Sequence, residues 1–451
     1  MAAVLVGLGA YLYYVEIPTQ RTEEQTKVQQ AKLLPFEEQE ITGLTVKAND
    51  QEIALAPGSG HGWSITAPLQ TDADSREVQA LIRALVTGKI TRVVEEQATA
   101  LAPFGLEKPS AQITVAAGAR QETFAIGDSG PLSSTLYVLR ESDHKVLLTD
   151  MAPRDLLYKT VMTFRRKEIL RFDQADIERI RLTYPTTEIV LYGADEKPKR
   201  KWKIRYPIEA EADQTEVRTL LLRLEDLKAM GIIDPGPERE ATARKLTTPK
   251  VKVTIHAGGM DQVVKLYQPD PSAGEAFAET KPDAPIYRIN PTAIRDLTKE
   301  LFTLQDKRLL GIEFTDIALL SVKTRDDQYV LIHDNNEWVL EDQPTEKITQ
   351  EVADLFVSRV VNLPAEERVI KHAAPLAPYG LVAPAAEFIA TGRDGKIGGK
   401  LALGNQVGSL VYTTGLRLQG IYQARADILS QIPTKRDLLA KSSEKSTPTT
   451  R

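Results

Sequence analysis

The alternation of apolar and polar residues indicates a short strand at three places in the chain. In each, an acidic residue and an isoleucine lead into apolar side chains at every second position, as in a half-buried strand. The three segments are residues 36–46, 172–182 and 312–322. A second short strand and a strand with a tryptophan follow each one. The tryptophans, Trp63, Trp202 and Trp338, are the only three in the sequence.

A proline follows each tryptophan within five or six residues. We expect it to end the strand, because proline has no N–H to donate to a neighbouring strand. The prolines are Pro68, Pro207 and Pro344. A helix is predicted next from apolar residues at i, i+3, i+4 and i+7, with the last position shifted in the third copy. These residues are Val78, Leu81, Ile82 and Leu85, then Val217, Leu220, Leu221 and Leu224, then Val352, Leu355, Phe356 and Val360.

Acidic residues at the first two helix starts have the spacing of a capping box. The pairs are Asp74 with Glu77 and Asp213 with Glu216. In this motif the first residue caps the helix, and the residue three positions later reaches back to a free backbone N–H. Each cap would contribute about 1 kcal/mol to helix stability. The third copy has Ile348 at the cap position, so Thr345 or Thr349 is expected to start that helix.

A proline-glycine turn follows the first and third helices, at residues 101–109 and 376–384. Gly105 and Gly380 are expected to end a helical turn with a positive φ. The middle copy, residues 243–249, lacks both the aromatic residue and the glycine. Later features also recur in all three copies: a strand with Tyr137, Tyr287 or Tyr412, a short helix near 154–156, 295–297 or 426–428, and a charged segment that ends at Leu170, Leu310 or Leu439.

These patterns predict an α+β fold with three tandem repeats of a mixed α/β module of roughly 130 residues, after an N-terminal membrane anchor. Residues 2–15 carry no charge, and we interpret them as an uncleaved anchor. A signal-peptide core and a buried N-terminal helix are the alternatives. The predicted domains are the anchor 1–15, a polar stalk 16–35, modules 36–170, 171–310 and 311–439, and a disordered tail 440–451.

Composition excludes several classes of function. The net charge is −5, and basic residues are interleaved with acidic ones, so nucleic acid is not an expected partner. Because the chain has no cysteine, it has no disulfide, thiolate nucleophile or cysteine metal ligand. The large apolar fraction is sufficient for several cores.

The tryptophan strand, the acidic helix cap, the glycine turn and the arginine-aspartate-leucine helix together resemble the bacterial domain of unknown function (DUF) family 4340. The resemblance covers nearly the whole chain after the stalk, with a departure at the middle turn. It implies a single-span, extracytoplasmic protein of the cell inner membrane, often encoded beside ABC-type transport components of the kind associated with gliding motility. The family has no established catalytic residues, so the resemblance implies none here.

Several residues that could support chemistry also have a plausible structural role. The five histidines (His61, His144, His256, His333 and His372) have no metal-ligand spacing, and the carboxylates Asp72, Asp74 and Glu77 fit helix capping better than calcium binding or acid-base catalysis. The glycine-rich segments 127–130 and 392–399 are interpreted as turns, and the basic run 164–167 as a solvated linker. We predict no catalytic residue, cofactor or metal. The tryptophans are expected to be buried, and the alternative is that they are exposed and stack on sugars or anchor a partner protein.

The sequence therefore favours a membrane-anchored, extracytoplasmic, non-catalytic scaffold or auxiliary subunit, with an ABC-type transport component as its expected protein partner. One alternative is a protein that binds glycan or a lipid-linked substrate in a groove between modules. A second alternative is a hydrolase whose site carries no recognisable motif.

Overall fold

The computed structural model describes residues 32–439, except 49, 59, 61, 133, 151–158, 195–200, 371–374 and 416–419. The predicted anchor, the tail and most of the predicted stalk lie outside the described residues and stay predictions. At the end of the predicted stalk, Leu33 and Leu34 are fully buried. Within the described residues, no helix is long and apolar enough to cross a membrane.

The first sheet has nine strands in the order β4-β3-β2-β1-β6-β7-β8-β9-β5. Their bounds are β1 Gly43–Ala48, β2 Gln51–Pro57, β3 Trp63–Ala67, β4 Thr71–Asp72, β5 Ile90–Glu95, β6 Ala111–Ala117, β7 Arg120–Ser129, β8 Leu136–Arg140 and β9 Lys145–Thr149. The pairings are antiparallel, and β6 returns beside β1, so two meanders share the middle of the sheet. The strand that follows the first long helix, β5, forms the far edge beside β9.

The second sheet has the same order, β13-β12-β11-β10-β15-β16-β17-β18-β14. Its strands are β10 Ile177–Thr183, β11 Glu188–Ala194, β12 Lys201–Tyr206, β13 Ala210–Glu211, β14 Gly231–Ile233, β15 Val251–Ala257, β16 Met260–Tyr267, β17 Ala276–Glu279 and β18 Ile286–Ile289. Because the order repeats, each strand of one sheet has an equivalent strand in the other.

The third sheet has eight strands in the order β21-β20-β19-β23-β24-β25-β26-β22. They are β19 Ile317–Thr324, β20 Gln328–Asp334, β21 Glu337–Leu340, β22 Glu367–Ile370, β23 Ala386–Gly392, β24 Ile397–Val407, β25 Leu410–Gly415 and β26 Ile421–Arg425. In this sheet the short strand equivalent to β4 and β13 is missing, and an isolated bridge between Leu340 and Gln343 follows β21 instead.

One helix of twelve or thirteen residues accompanies each sheet, and the other α-helices of the described residues are short. The helices are α1 Ser75–Thr87, α2 Val161–Phe164, α3 Gln214–Glu225, α4 Pro237–Ala243, α5 Thr292–Leu297, α6 Leu301–Leu304, α7 Gln350–Val361, α8 Asp427–Ser430 and α9 Lys435–Leu438. Short 3₁₀ turns, such as Ala102–Phe104 and Ala377–Tyr379, complete the helical structure.

Contacts between Cα atoms divide the chain into two compact units. The first holds the chain up to Ile177 together with Leu182–Thr187 and Leu221–Thr298. The second holds Glu178–Arg181, Glu188–Leu220 and the chain from Lys299 onward. Strands of the second sheet belong to both units, so the units do not coincide with the sheets. The module boundaries expected from the sequence stay predictions.

The predicted fold class is wrong. The chain is mostly β, with three large antiparallel sheets, and is not a series of α/β modules. The segments expected to form a last helix supply only the short α5 and α8 in the second and third copies, and the first lies outside the described residues. Four strands, β6 to β9, follow the proline-glycine turn in the first copy, and the edge strand β5 precedes the turn. Short strands such as β5 have irregular burial, so their sequences lack a period-two signal.

The long helices cover apolar residues of their sheets. In the first sheet the α1 side chains of Val78 and Leu81 are buried in one cluster with Val115 and Phe124 of β6 and β7. This is the stripe that the sequence predicts. On α7 the prediction is partly wrong, because Val352 and Leu355 are exposed. The residues of α7 that are buried are Ala353, Phe356, Val357, Val360 and Val361.

The proline-glycine turn packs on a strand glycine. Gly105 and Gly380 adopt the left-handed conformation, with φ of 65° and 70°. Each turn lies over a glycine of the sheet: a Cβ on Gly127 of β7 would be 2.2 Å from the Phe104 carbonyl oxygen, and one on Gly404 of β24 would be 2.2 Å from that of Tyr379. Of the two segments predicted as glycine-rich turns, residues 127–129 belong to β7, whereas 392–399 contains the turn that joins β23 to β24.

The second sheet lacks both halves of this arrangement. Strand registers place Tyr267 at the position of Gly127 and Gly404. Tyr267 packs in a small cluster with Leu246 and Phe277. In this repeat both the turn glycine and the strand glycine are absent. Without the turn glycine, the turn does not approach the strand closely, so the strand can hold Tyr267 at that position.

Replacement of Gly127 by alanine should lower the free energy of unfolding by about 1–3 kcal/mol, because the new methyl group meets a backbone carbonyl that has no room to move. Gly43 in β1 is the matched control, since its Cβ would lie 3.6 Å from the nearest atom. Gly43→Ala should change stability by less than about 0.5 kcal/mol. Urea unfolding measures both variants, and equal losses would contradict the packing described.

Candidate functional site

The three tryptophans occupy equivalent strands, β3, β12 and β21, at the edge of the sheet or next to it. Trp202 is 8% exposed and Trp338 is 1% exposed, whereas Trp63 is partly buried against the core of the first sheet. The Trp338 ring stacks on His333, with ring centroids 4.5 Å apart, and its Nε1 donates to Asp354 Oδ1 on α7 over 2.9 Å. Trp338 therefore joins its strand to the long helix.

The first residue of each long helix binds the backbone of the tryptophan. The N–H of Trp202 donates to Gln214 Oε1 over 2.8 Å, and Gln214 Nε2 donates back to the Trp202 carbonyl over 2.9 Å. Gln350 makes the same two bonds to Trp338. Ser75 Oγ accepts one bond from the N–H of Trp63. The signal for this contact is a polar residue twelve positions after each tryptophan, and the sequence reasoning missed it.

The predicted helix caps form only in part. Asp74 accepts from the N–H of Arg76, and Asp213 accepts from Thr215 and Glu216. The reciprocal half of the capping box does not form. The backbone N–H groups of Asp74 and Asp213 are already bound by carbonyls from the end of the same repeat. Thr349 starts the third long helix without a side-chain cap.

The glutamates of the predicted capping boxes make ion pairs instead. Glu77 binds Lys159 over 2.6 Å, and Glu216 binds Lys299 over 3.2 Å. In the third repeat Val352 and Pro433 stand at the two equivalent positions. The third repeat therefore lacks both charges of this glutamate–lysine pair.

The three prolines differ in their position relative to the end of the tryptophan strand. Pro68 and Pro207 directly follow the strands that hold Trp63 and Trp202, and both are preceded by cis peptide bonds. Pro344 lies beyond the bridge that follows β21, so it does not itself end the tryptophan strand.

The end of each repeat binds the start of the long helix of the same repeat. The Phe164 carbonyl accepts from the N–H of Asp74 over 2.7 Å. The equivalent bonds join the Leu304 carbonyl to Asp213 and the Leu438 carbonyl to Thr349, both over 2.8 Å. Leu439 is therefore equivalent to Arg165 and Gln305, rather than to Leu170 and Leu310 as the sequence pattern suggested.

The first two of these segments then join the edge of the next sheet. The Ile169 N–H donates to the Leu227 carbonyl, and the Lys167 carbonyl accepts from Ala229. Leu309 with Leu363 and Lys307 with Ala365 repeat the pattern at the next junction. At the first sheet, the Leu33 N–H donates to the Gly88 carbonyl in the same way. We call residues 165–170 and 305–310 the first and second connectors.

The first connector carries a shielded ion pair. Arg165 is 7% exposed and binds Asp234 through two hydrogen bonds of 2.7 and 2.6 Å. Tyr287 lies nearby, and burial raises the pKa of its hydroxyl. Arg166 binds Asp72 over 2.6 Å, and Lys167 donates to the Thr163 carbonyl. The basic run 164–167 is thus engaged inside the protein and is not a solvated linker.

The second connector has different chemistry at the same positions. Gln305 replaces Arg165, and Ile370 is equivalent to Ile233, so the counterpart of Asp234 lies outside the described residues. Gln305 is 4% exposed, and its Oε1 has no hydrogen-bond partner. Arg308 binds Asp306 and Glu313, each over 2.8 Å, and its hydrogen bond lowers the pKa of Glu313.

Each connector lines an open cleft. One cleft of about 600 Å³ is lined by residues that include Asp72, Arg76, Arg166 and Tyr287. A second, of about 590 Å³, is lined by Tyr192, Lys203, Ile204, Glu209, Ala210, Glu211, Gln305, Asp306, Gly311 and Gly398. Gln305 lies in the wall of the second cleft, but its Oε1 atom is enclosed by the protein.

The other candidate residues have structural contacts. The carboxylates Asp72, Asp74 and Glu77 each bind a different partner, as described above. His256 lies 2.6 Å from Asp261, and His333 stacks on Trp338. His61 and His372 lie outside the described residues. No group of three or more metal-ligand side chains occurs within the described part of the chain.

One buried charge cluster stabilises the second sheet. Glu279, on β17, binds Arg239 of α4 over 3.2 Å and Lys265 of β16 over 3.4 Å. The Tyr267 hydroxyl donates to the same carboxylate, and burial beside that charge raises its pKa to about 12. Arg239 also binds the carbonyls of Pro282 and Ala284, so the cluster fixes the loop before β18.

Most of the chain is similar to one protein family. The model of the domain of unknown function (DUF4340) matches residues 63–245 and again residues 202–384. Each match begins at a tryptophan and continues past the next one, so the matched unit overlaps two repeats. No curated protein and no solved structure matches the chain.

Replacement of Gln350 by alanine should lower the free energy of unfolding by about 1–3 kcal/mol, because two hydrogen bonds to the Trp338 backbone are lost. Gln328 lies exposed at the start of β20 and is the control. Gln328→Ala should cost less than about 0.5 kcal/mol. Chemical denaturation compares the two, and equal effects would show that the Gln350 contact does not stabilise the fold.

Asp234→Ala should lower stability by about 1.5–3 kcal/mol, because the buried Arg165 guanidinium loses a charged partner. The double variant Arg165→Gln with Asp234→Ala removes both charges and should recover most of that loss. Thermal unfolding measures both proteins. If the double variant is less stable than Asp234→Ala, the loss does not come from the unpaired charge of Arg165.

Proposed function

The chain belongs to the family of the domain of unknown function DUF4340, and on this premise we propose that it is a membrane-anchored, extracytoplasmic, non-catalytic scaffold or auxiliary subunit of an ABC-type transport system. The features that recur between repeats support this proposal. The bonds from Gln214 and Gln350 to the tryptophan backbone, the helix caps and the connectors hold strands and helices in place. A scaffold acts through the surface that such a framework presents.

The outer face of α7 is the observation that carries the proposal. Val352 is 36% exposed and Leu355 is 53% exposed, one helical turn apart. The first two repeats have Glu77 and Glu216 at the position of Val352, each in an ion pair with a lysine. The third repeat has therefore exchanged a charged helix face for an apolar one. Exposed apolar side chains on a helix are suited to contact with a partner protein.

The same repeat has further exposed apolar side chains: Val369, Leu376, Val382, Ile397 and Val407. Aliphatic side chains gain free energy when a partner removes them from water. The proposed partner is a component of the transport system, and α7 is its proposed contact.

The variant Val352→Glu with Leu355→Lys should reduce co-purification of the transport component at least tenfold, because charged groups would be desolvated in the contact. The measurement is in-membrane crosslinking from position 352 at native expression, with mass spectrometry to identify the captured chain. Thermal unfolding should change little, since both side chains are exposed.

Met260→Lys is the matched control. Met260 is 69% exposed on the second sheet, so its replacement should leave co-purification intact. Recovery of the transport component at wild-type level by the α7 variant would contradict the proposed contact. Failure of the wild-type protein to recover any transport component would remove the auxiliary-subunit proposal.

The proposed topology places residues 1–15 in the inner membrane and the three sheets outside the cytoplasm. It rests on the uncharged run at residues 2–15 and on the family resemblance. A reporter enzyme that is active only outside the cytoplasm, fused after Leu439, should be active in cells. A reporter that is active only in the cytoplasm should be inactive at the same position, and the opposite pair of results would contradict the topology.

A further inference from the structure

We propose that one face of the second sheet binds the surface of a bilayer that contains anionic phospholipids. The face lies on β10, β11 and β12, on the side of these strands away from the buried core, and we call it the basic face. Its residues belong to the second compact unit and are Arg179, Arg181, Tyr192, Lys203, Arg205 and Tyr206. This contact goes beyond the scaffold role and requires neither the α7 contact nor the anchor.

The burial pattern of β10 places two arginines on the uncovered side of the sheet. Ile180 and Leu182 are fully buried, so they face the core. Successive side chains of a strand point to opposite sides, so Arg179 and Arg181 point away from the core. Both arginines are exposed to solvent.

The next two strands continue this face. Leu191 of β11 pairs with Ile204 of β12, and both side chains are buried. The adjacent pair, Tyr192 with Lys203, therefore lies on the uncovered side. The guanidinium carbon of Arg205 is 5.9 Å from the centre of the Tyr192 ring, so Arg205 lies on the same side.

A β-bulge brings Tyr206 onto the basic face. The pairing of β11 with β12 shifts by one residue, so that Tyr206 is opposite Val190 and Arg205 is the extra residue. Val190 is two positions from Tyr192 and shares its side of the sheet. Arg205 and Tyr206, although adjacent in sequence, thus contribute to one surface.

The charge of the basic face is only partly neutralised. Within the described part of the chain, the guanidinium groups of Arg179 and Arg205 form no ion pair. The other two basic residues have acidic neighbours at 3.6 and 3.4 Å, in the pairs Arg181–Glu188 and Lys203–Glu211. The face therefore offers two free guanidinium groups to an anionic partner, on a protein whose net charge is −5. Guanidinium groups bind phosphate oxygens in a bidentate geometry.

Exposed apolar side chains at the end of β12 favour a bilayer over other anionic partners. Tyr206 is 49% exposed, and Ile208, in the short link to β13, is 38% exposed. Tyrosine is enriched at the boundary between lipid and water, and apolar side chains beside basic ones are typical of proteins that lie on anionic membranes. A nucleic acid or an acidic polysaccharide would use the arginines and leave Ile208 in water.

The other two sheets do not carry this face. Counted from the isoleucine that leads into each strand, the positions of Arg179 and Arg181 hold neutral residues, namely Gly43 and Thr45 in the first sheet and Leu319 and Ser321 in the third. The bulge of β3 has Thr66 where β12 has Arg205. The side facing the core is instead alike, since Leu44, Ile180 and Leu320 are all buried. The cations are thus not required by the fold, and a binding role accounts for them.

The experiment places a fluorescent label at the edge of the basic face. The chain has no cysteine, so Ile208→Cys gives the full-length protein a single labelling site. The labelled protein is reconstituted with vesicles of phosphatidylcholine, with or without about 30% phosphatidylglycerol, that contain a lipid with a nitroxide quencher on its headgroup. We expect strong quenching in the anionic vesicles and little in the neutral ones. Raising the salt concentration to about 0.5 M should reduce the quenching, because the charges are screened.

A label on the other side of the sheet is the control for position. Leu222 is 47% exposed on α3, which covers the core side of the sheet. A label at Leu222→Cys should not be quenched in either kind of vesicle. Equal quenching at both sites would overturn the assignment of the contact to the basic face.

Two charge variants of the protein labelled at position 208 test the arginines. Arg179→Gln with Arg205→Gln should weaken the contact with anionic vesicles about tenfold or more, because two free cations are removed from the charged surface. Arg218→Gln with Arg223→Gln removes two exposed arginines of α3 and should leave the quenching unchanged. Thermal unfolding of both double variants should match that of the wild type, since all four side chains are exposed. Equal losses of quenching in the two variants would contradict the role of the basic face.

Two further results would overturn the proposal. Equal quenching in neutral and anionic vesicles would show that the arginines do not select the lipid. No quenching in anionic vesicles would exclude the membrane contact and leave an acidic protein as the partner for this surface. Flotation of the full chain with phosphatidylcholine vesicles reports the anchor alone, so failure of the anchor and failure of the basic face are distinguishable.

Discussion

The hydrogen bond between the end of each repeat and the start of its long helix is the constraint on which the rest of the structure depends. The first N–H groups of a helix have no partner within the helix and must be bound from outside. Here the carbonyls of Phe164, Leu304 and Leu438 bind the backbone N–H groups of the helix caps. A residue at the end of the repeat thereby fixes the position of a helix about ninety residues earlier in the chain, a separation on the order of a whole domain.

The connectors extend this constraint to the neighbouring sheet. A few residues after binding the helix of its own repeat, each connector pairs with the edge strand of the next sheet. This pairing covers a strand edge that would otherwise be open to other chains. The stability of each sheet thus depends on the repeat before it, as in other repeat proteins with nearest-neighbour coupling. Two of the changes between repeats are at Gln305 and on the outer face of α7.

The sequence predicts the local elements well where periodicity is strong. The stripe on α1, the left-handed Gly105 and Gly380 and the three tryptophan strands are all present. The predicted fold class failed because short edge strands have no clear alternation and because the expected last helices are only four to six residues long in the copies that are described. Tyr287 illustrates the same difficulty, since it lies one strand later than Tyr137 and Tyr412, and Phe277 holds the equivalent position.

The clefts beside the connectors could not be predicted from the sequence for a different reason. Gln305 is an ordinary residue in a charged segment, and only its burial without a partner distinguishes it. The replacement of Arg165 by Gln305 is visible only when the repeats are aligned by the bridges that these residues make to Ala73 and Ala212. The Glu77–Lys159 pair, and its replacement by the exposed Val352 on α7, could not be predicted from the sequence for the same reason.

Hydrogen exchange of single backbone amides tests the central constraint most directly. The backbone N–H groups of Asp74, Asp213 and Thr349 donate to the distant carbonyls and have no partner within the helix. Their protection from exchange therefore depends on these bonds. We predict that these three amides exchange as slowly as core strand amides, such as that of Val115 in β6. Rapid exchange at these positions, with the long helices still protected, would contradict the account.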